Sequence, residues 1–349
     1  MESDNKKIQL SKSKFPSELR YDLVSKDWVV IATGRAKRPE MFKKERKAKE
    51  SVPKSQCPFC NLGAKEKPIL IFDRGKKIVS KGGLPRDWTT VVIPNKYPAF
   101  SKSDSFNERA EGPYHIIDGV GFHEVVVTRD HEKQMAQFSV DQIKEVVNVY
   151  QERYLDLMNE KFVSYISIFH NNGKEAGASV SHPHSQIIAL PFIDPDLQSS
   201  INGSAAHFKR YGQCVHCDML AYDKKDGRRI VFENEEFIVL VPFASRVAFE
   251  TRIYPKVHHA YFERITHGQK DYFAEAFKAA LSKIYKALND PAYNFFIHTA
   301  PCDGKDYNHY HWHLEILPKT SIWAGFELGV GIEISTIEPE TAAEYLRKQ

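Results

Sequence analysis

The stretch FHNNGKEAGASVSHPHSQIIALP, residues 169–191, decides both the fold and the place where chemistry is expected. Its last ten residues, HPHSQIIALP (182–191), read as a β-strand starting at or near Pro183, where a missing N–H is tolerated. Strand side chains alternate between faces, so His182, His184 and Gln186 share one surface while Ser185, Ile187 and Ala189 point the other way. A neutral imidazole attacks phosphorus well when one ring nitrogen is free and a hydrogen bond holds the other. An amide N–H from Gln186 can stabilise a phosphoryl oxygen, and the small residues Gly173, Gly177, Ala178 and Ser179 let backbone approach a phosphate. A lone histidine on such a strand is more simply a satisfied polar group. Two in this pattern, with paired cysteines elsewhere, argue for chemistry.

Working outward, the same order of segments occurs twice. The first half runs CPFC (57–60), VVIPNKYPA (91–99), HEVVVTRDH (123–131), a long helical pattern, YISIFHNNG (165–173) and HPHSQIIALP. The second runs CVHC (214–217), FIVLVPFAS (237–245), FETRIYPKVHH (249–259), another helical pattern, YNFFIHTAP (293–301) and HWHLEILP (311–318). Ser139 with Gln142, and Thr266 with Gln269, fit capping boxes that open the two helices. Apolar stripes follow at helical spacing, from Val140 to Leu157 and from Phe273 to Leu288, with Asn289-Asp290-Pro291 as the second stop. The other segments are short, β-branched strands. Each half is therefore expected to be a mostly antiparallel sheet with one long helix packed on it, an α+β fold. The expected division is an N-terminal half at 1–193, a linker at 194–209 and a C-terminal half at 210–349. The glycines of WAGFELGVG, in the tail from Ser321, predict a loop.

With 349 residues the chain is long enough for two such halves, and its 42% hydrophobic and 27% charged composition is that of a globular protein. No apolar run is long enough to span a bilayer, so no membrane partner is expected. The charged start MESDNKKIQLSKSK lacks the apolar stretch of a secretion signal, and a cytoplasmic location is expected. The net charge of +4 is not gathered into basic blocks interleaved with aromatics, and nucleic acid is not an expected partner. In that compartment the pairs Cys57/Cys60 and Cys214/Cys217 read as metal ligands rather than disulfides, with Cys302 left alone.

Taken together, residues 169–191, GRAKRP (34–39), PNKYPA (94–99), the Cys57/Cys60 pair and GFE (325–327) resemble the galactose-1-phosphate uridylyltransferase family of the histidine-triad superfamily. The resemblance covers most of the chain from about residue 20 and implies two histidine-triad-like halves. It also implies a ping-pong reaction, with a nucleotidyl group passing from a nucleotide sugar to a histidine and on to a hexose 1-phosphate. Carried onto this chain, the nucleophile is His184. Gln186, Ser179 and Asn171 fall where the family contacts the transferring phosphate and nucleotide. Arg35, Arg38 and Asn95 fall at nucleotide-side positions, where a guanidinium fork suits phosphate oxygens. Phe326 and Glu327 fall at the hexose. The family forms its active site across a homodimer.

Two departures stand out. Ser185 occupies a position where the uridylyltransferases usually carry Gly or Cys, and a glutamine used near the hexose has no clear counterpart in GIEISTIEP. A sister group, the ADP-sugar phosphorylases, carries H-S-Q and accepts inorganic phosphate. Two readings are therefore carried forward, a UDP-glucose–hexose-1-phosphate uridylyltransferase and an ADP-glucose phosphorylase.

Both resemble enzymes with structural zinc. Cys57 and Cys60 have knuckle spacing, and with no further C-x-x-C in that half the remaining ligands are expected to be histidines. His131 and His182 match family zinc positions. Aligning HPHSQ with HWHLE gives Cys214, Cys217, His258 and His311 as a second set, with His259, His309 and His313 as rivals. HWHLE lacks the small-residue loop before it, so one active motif per chain is expected.

Overall fold

The computed structural model describes residues 17–35, 37–43, 52–63, 67–79 and 83–349. In chain order these form β1 (Glu18–Tyr21), β2 (Trp28–Ile31), β3 (Leu70–Asp73), β4 (Lys76–Lys77), β5 (Thr90–Pro94), β6 (Glu108–Glu111), β7 (Tyr114–Ile117), β8 (Phe122–Thr128), α1 (Val140–Leu157), β9 (Tyr165–Asn172) and β10 (His184–Leu190). The second half adds α2 (Pro195–Tyr211), α3 (Val215–Asp226), β11 (Ile230–Glu233), β12 (Phe237–Leu240), β13 (Thr251–Pro255), α4 (His267–Leu288), β14 (Tyr293–His298), β15 (His313–Pro318), α5 (Gly325–Val330), β16 (Ile334–Ser335) and α6 (Pro339–Arg347).

The duplication is laid out in one continuous sheet of eleven strands, ordered β11-β12-β13-β15-β14-β9-β10-β8-β5-β3-β4. Equivalent strands of the two halves, β9 and β14, pair antiparallel at its middle, with Asn171 opposite Asn294 and Phe169 opposite Phe296. The expected α+β arrangement is present, and the two sheets are fused edge to edge. Both long helices lie on one face. Ile143, Val146, Val147 and Tyr150 of α1 and Phe273, Phe277, Leu281 and Ile284 of α4 bury with Ile166, Ile187, Phe295 and Ile316 from the strands in one core. Val140, the first residue of α1, is exposed instead.

Both capping boxes form. Gln142 N–H donates to Ser139 Oγ at 3.2 Å and Gln269 N–H to Thr266 Oγ1 at 3.3 Å. Asn289 ends α4 in the left-handed region at φ 58°.

One sequence expectation is corrected, that for the tail from Ser321, and the segment read as the linker proves to be helical. Residues 194–209 form most of a helix, α2, because Asp194 accepts the Leu197 N–H at 3.0 Å, Pro195 follows at the first turn, and Leu197 and Ile201 bury four residues apart. Their Ser and Gly content hid that pattern. The tail from Ser321 is not a loop. It makes α5, where Glu327 Oε2 accepts the Ala324 N–H at 3.0 Å, and then β16, which pairs with β2 near the other end of the chain. Among the described residues no helix is long and apolar enough to cross a membrane.

Candidate functional site

β10 begins at His184, and its burial alternates: Ser185, Ile187 and Ala189 enter the core, while His184, Gln186 and Ile188 are half-buried on the opposite face. His182 differs from the expectation of one shared surface. It precedes the strand, is buried, and turns its ring into the first cysteine pair. The Nδ1–H of His184 donates to the His182 carbonyl at 2.8 Å. Among the described residues nothing bonds its Nε2, so the neutral ring carries a free lone pair there. Burial lowers the His184 pKa and favours that neutral form, although the His182 carbonyl acts in the opposite sense. Phe59, between the two cysteines, sets its ring 5.0 Å from that of His184.

The polar groups around His184 come from neighbouring strands. Continuing the β9–β10 register one pair past Ser185–His170 brings Asn171 beside His184. Gln186 Oε1 lies 2.8 Å from His123 Nε2 on β8, and Asn95 Nδ2 lies 2.9 Å from the same nitrogen. Asn294, from the second half, donates its amide N–H to Asn171 Oδ1 at 2.8 Å. Gly177, at φ +87°, carries the loop past this amide: a Cβ there would meet Asn171 Nδ2 at 3.8 Å. Ser179 is exposed on the same loop.

Ser185, the residue that departs from the uridylyltransferase pattern, faces away from all of these. Its Oγ meets Tyr150 Oη at 2.5 Å and His170 Nδ1 at 3.1 Å in the core.

The expected metal ligands converge in two groups, Cys57/Cys60/His131/His182 and Cys214/Cys217/His258/His311, each with ligand atoms within 4.8 Å of one another. Tetrahedral zinc, with bonds of about 2.3 Å to sulfur and 2.0 Å to nitrogen, requires edges of roughly 3.6 Å for S···N and 3.3 Å for N···N. In the first group Cys57 Sγ lies 3.6 Å and Cys60 Sγ 3.5 Å from His182 Nδ1. Cys60 Sγ lies 3.2 Å from His131 Nδ1, and the two Nδ1 atoms are 3.2 Å apart. In the second, Cys217 Sγ lies 3.4 Å from His258 Nδ1 and 3.6 Å from His311 Nδ1. Every one of these histidines points Nε2 at a backbone carbonyl: Val52 for His131, Thr128 for His182, Asn308 for His258 and Pro255 for His311. That second contact fixes the tautomer with Nδ1 bare toward the ligand position. Burial and the adjacent Cys57 push the Cys60 thiol up to about 11, so a thiolate at neutral pH calls for a cation. The residues fit a divalent metal.

The copy of the H-x-H motif in the second half is closed. His313 Nδ1 lies 3.2 Å from the His311 carbonyl, as His184 does from His182. Its ring, however, is buried, stacked on Tyr254 at 4.7 Å and on His298 at 4.9 Å. Glu315 replaces the glutamine. Burial alone would raise its pKa, but Arg246 and Arg252 hold it well below the usual carboxylate range. His298, His313 and Glu315 are close enough to share a cation, yet two arginines already neutralise the carboxylate.

Not every expected site residue meets this centre. Arg38 is exposed with no side-chain partner among the described residues, and the Arg35 side chain lies outside them. Phe326 and Glu327 sit on α5, where no hydrogen bond, ion pair or ring contact joins them to His184 or Gln186 among the described residues. Around them Ile322, Trp323, Leu328 and Val330 are exposed. Sequence reasoning missed His123, Asn294 and Phe59. The alternation in HEVVVTRDH was the available signal for His123.

Comparison with known proteins agrees with this layout. Residues 6–194 match the family described as galactose-1-phosphate uridyl transferase, N-terminal domain, and residues 107–349 match a domain of unknown function. The ADP-glucose phosphorylase of Arabidopsis thaliana is 32% identical over 95% of this chain and 92% of its own. The galactose-1-phosphate uridylyltransferase of Thermotoga maritima is 31% identical over 95% and 98%. The crystal structure of the Arabidopsis ADP-glucose phosphorylase with bound ADP-glucose superposes with a TM-score of 0.76 at 29% identity, covering 95% of this chain and 99% of that one. On sequence, on strand layout and on length alike, the chain belongs to the galactose-1-phosphate uridylyltransferase family, a family of nucleotidyltransferases.

Proposed function

We propose that the chain moves a nucleoside monophosphate from a nucleotide sugar to a second phosphate through a covalent intermediate on His184, as a UDP-glucose–hexose-1-phosphate uridylyltransferase. The observation that carries this reading is the His184 ring, with Nδ1–H held by the His182 carbonyl and Nε2 bare. In the first half-reaction Nε2 attacks the α-phosphorus, a P–N bond forms, and the P–O bond to the sugar phosphate breaks, releasing hexose 1-phosphate. In the second, a phosphate oxygen of the acceptor attacks the same phosphorus and the P–N bond breaks. Gln186 and Asn171 supply N–H donors to the phosphoryl oxygens, with Ser179 beside them at the transferring phosphate and nucleotide and Asn95, Arg35 and Arg38 on the nucleotide side.

A second reading, ADP-glucose phosphorylase, rests on Ser185 and on the 32% identity to the Arabidopsis enzyme. Ser185 faces the core, so it does not itself select base or acceptor. The donor sets support zinc at both Cys/His groups, in closed sites whose task is to hold the chain on either side of the active strand. The exposed apolar residues of the tail support a homodimer in which Phe326 and Glu327 reach a partner's hexose site. The compartment we assign is the cytoplasm, where paired thiols stay reduced.

The test is intact-protein mass spectrometry after exposure to UDP-glucose or ADP-glucose. A gain of one uridylyl group with release of glucose 1-phosphate supports the first reading. An adenylyl gain, discharged by inorganic phosphate as ADP, supports the second. An unmodified His184, with neither sugar phosphate released, would sink both.

A further inference from the structure

Three carboxamides on the active face have their oxygen atoms held from behind by the protein. The Asn95 Oδ1 accepts the Tyr97 N–H at 2.9 Å, and the Asn171 Oδ1 accepts the Asn294 amide at 2.8 Å. The Gln186 Oε1 stands 2.8 Å from His123 Nε2. The direction of this last bond is settled one step further back. Ala99 N–H, a backbone group that can only donate, points at His123 Nδ1 at 3.1 Å. Nδ1 must therefore accept, and the single proton of the neutral ring lies on Nε2. An Nε2–H needs an acceptor, and of the two groups beside it, the Asn95 amide nitrogen at 2.9 Å and the Gln186 oxygen at 2.8 Å, only the oxygen accepts, so the Asn95 N–H must donate elsewhere. The opposite tautomer would set N–H against N–H at Ala99.

The β8–β10 register accounts for the reach. Gln186 pairs with Val125 and Ile188 with His123, so His123 and Gln186 are diagonal neighbours on one face. Asn294 reaches Asn171 directly across β14 and β9, and its amide also donates to the Ala176 carbonyl at 2.8 Å, tying in the loop that carries Gly177.

We propose that His123 and Asn294 are positioning residues. They hold the oxygens of Gln186 and Asn171 away from the substrate so that both amides present N–H, never C=O, to the phosphoryl group beside His184. An amide that turned over would aim an acceptor at developing negative charge, which is worse than offering nothing. Asn294 belongs to the second half of the duplication, where the strand equivalent to β9 is retained although its own histidine motif is closed. The contact gives that half a part in the chemistry of the first. This inference rests on the nucleotidyl-transfer reading given above.

The experiment exchanges a donor for an acceptor without removing the side chain. In His123→Gln an amide N–H still reaches the Gln186 oxygen. In His123→Glu and Asn294→Asp only acceptors remain, and the facing amide is expected to turn its NH2 backwards. The rate constant for nucleotidyl-enzyme formation in a single turnover should fall about 100-fold in His123→Glu and in Asn294→Asp, the scale of one lost oxyanion donor. Half-saturation by the nucleotide sugar should move far less, and His123→Gln should retain most of the rate. Equal rates in His123→Glu and His123→Gln would overturn the proposal.

A second measurement does not depend on turnover. With ¹⁵N-labelled histidine, and the His123 signal assigned by its loss in His123→Gln, the ring should be the Nε2–H tautomer. An Nδ1–H tautomer would overturn the arrangement even in a protein that labels normally. If the wild type forms no adduct with any nucleotide sugar, the proposed function fails, and the tautomer still decides the positioning.

Discussion

The Nδ1–H of His184 donates to the carbonyl of His182 at 2.8 Å, so the residue that completes the first Cys/His group also sets the tautomer of the ring two positions on. His182 is fixed twice more, by Nδ1 in the metal-ligand group and by Nε2 on the Thr128 carbonyl at 2.6 Å. A metal bound there would reach the ring proposed as nucleophile through one residue of backbone and one hydrogen bond, without touching it.

That separation makes a prediction about metal removal. Cys57→Ser weakens one of the two ligand groups and should cost the protein half its bound metal and several degrees of thermal stability, on the scale of a lost structural ligand. At temperatures where the variant stays folded, labelling of His184 should persist at reduced rate. Elemental analysis, a thermal melt and the adduct assay are read together. Unchanged stability with complete loss of labelling would mean a metal that acts on the substrate.

The closed motif in the second half makes a prediction about stoichiometry. His313 copies the backbone contact of His184, but burial pushes its pKa well below the ordinary histidine value, and Tyr254 and His298 cover its faces. Labelling should therefore stop at one nucleotidyl group per chain. His313→Asn should still take up that group, whatever stability it gives up, whereas His184→Gly should take up none. A second adduct that disappears in His313→Asn would reopen the motif.

The duplication, the two long helices and the two cysteine pairs were legible because each depends on local pattern: helical spacing, capping boxes, C-x-x-C, and order repeated along the chain, whereas His131 and His182 came from the family resemblance and His258 and His311 from aligning the two halves. The fusion of two sheets through β9 and β14 was not, since strand pairing across about 120 residues leaves no periodic trace. His123 and Asn294 escaped for a related reason. Each earns its place by a diagonal or cross-strand contact, which depends on register and not on its own neighbours in sequence. Helix α2 was hidden by composition, because its Ser, Gly and Asn residues outweighed the cap at Asp194.

Beneath β10, His170 makes a prediction about acid. Burial, with His184 close by, pushes its pKa down to about 3, and its ring is stacked 5.0 Å from Phe295. An unfolded chain binds that proton near the ordinary value of about 6.5, whereas the native chain does not. The unfolded state therefore binds more protons between those values, and stability must fall as pH drops through that window, by up to about 1.4 kcal/mol per pH unit for one such histidine. His170→Phe keeps an aromatic ring beside Phe295 and has nothing to protonate. Its stability should decline with acid less steeply than that of the wild type, by close to one proton. Parallel slopes between pH 4 and 6 would show that His170 is accessible to protons in the native state.

Glu124 follows His123 on β8 and faces the other way, into the core, where Arg153 of α1 grips it with two bonds: Nε to Oε2 at 2.7 Å and Nη2 to Oε1 at 2.7 Å. Both side chains are buried, so the pair ties α1 to the strand that carries His123. Removing one partner leaves an uncompensated charge in the core, whereas removing both removes the problem. Arg153→Leu is expected to cost about 3–5 kcal/mol, read as a lowered urea midpoint. Arg153→Lys should fall between, because an ammonium cannot form the two-pronged contact. Arg153→Leu combined with Glu124→Leu should recover much of the loss, since the strand then meets the helix through apolar groups alone. If the double variant is instead as unstable as the two single losses added together, the pair contributes through packing and hydrogen bonding rather than through charge compensation.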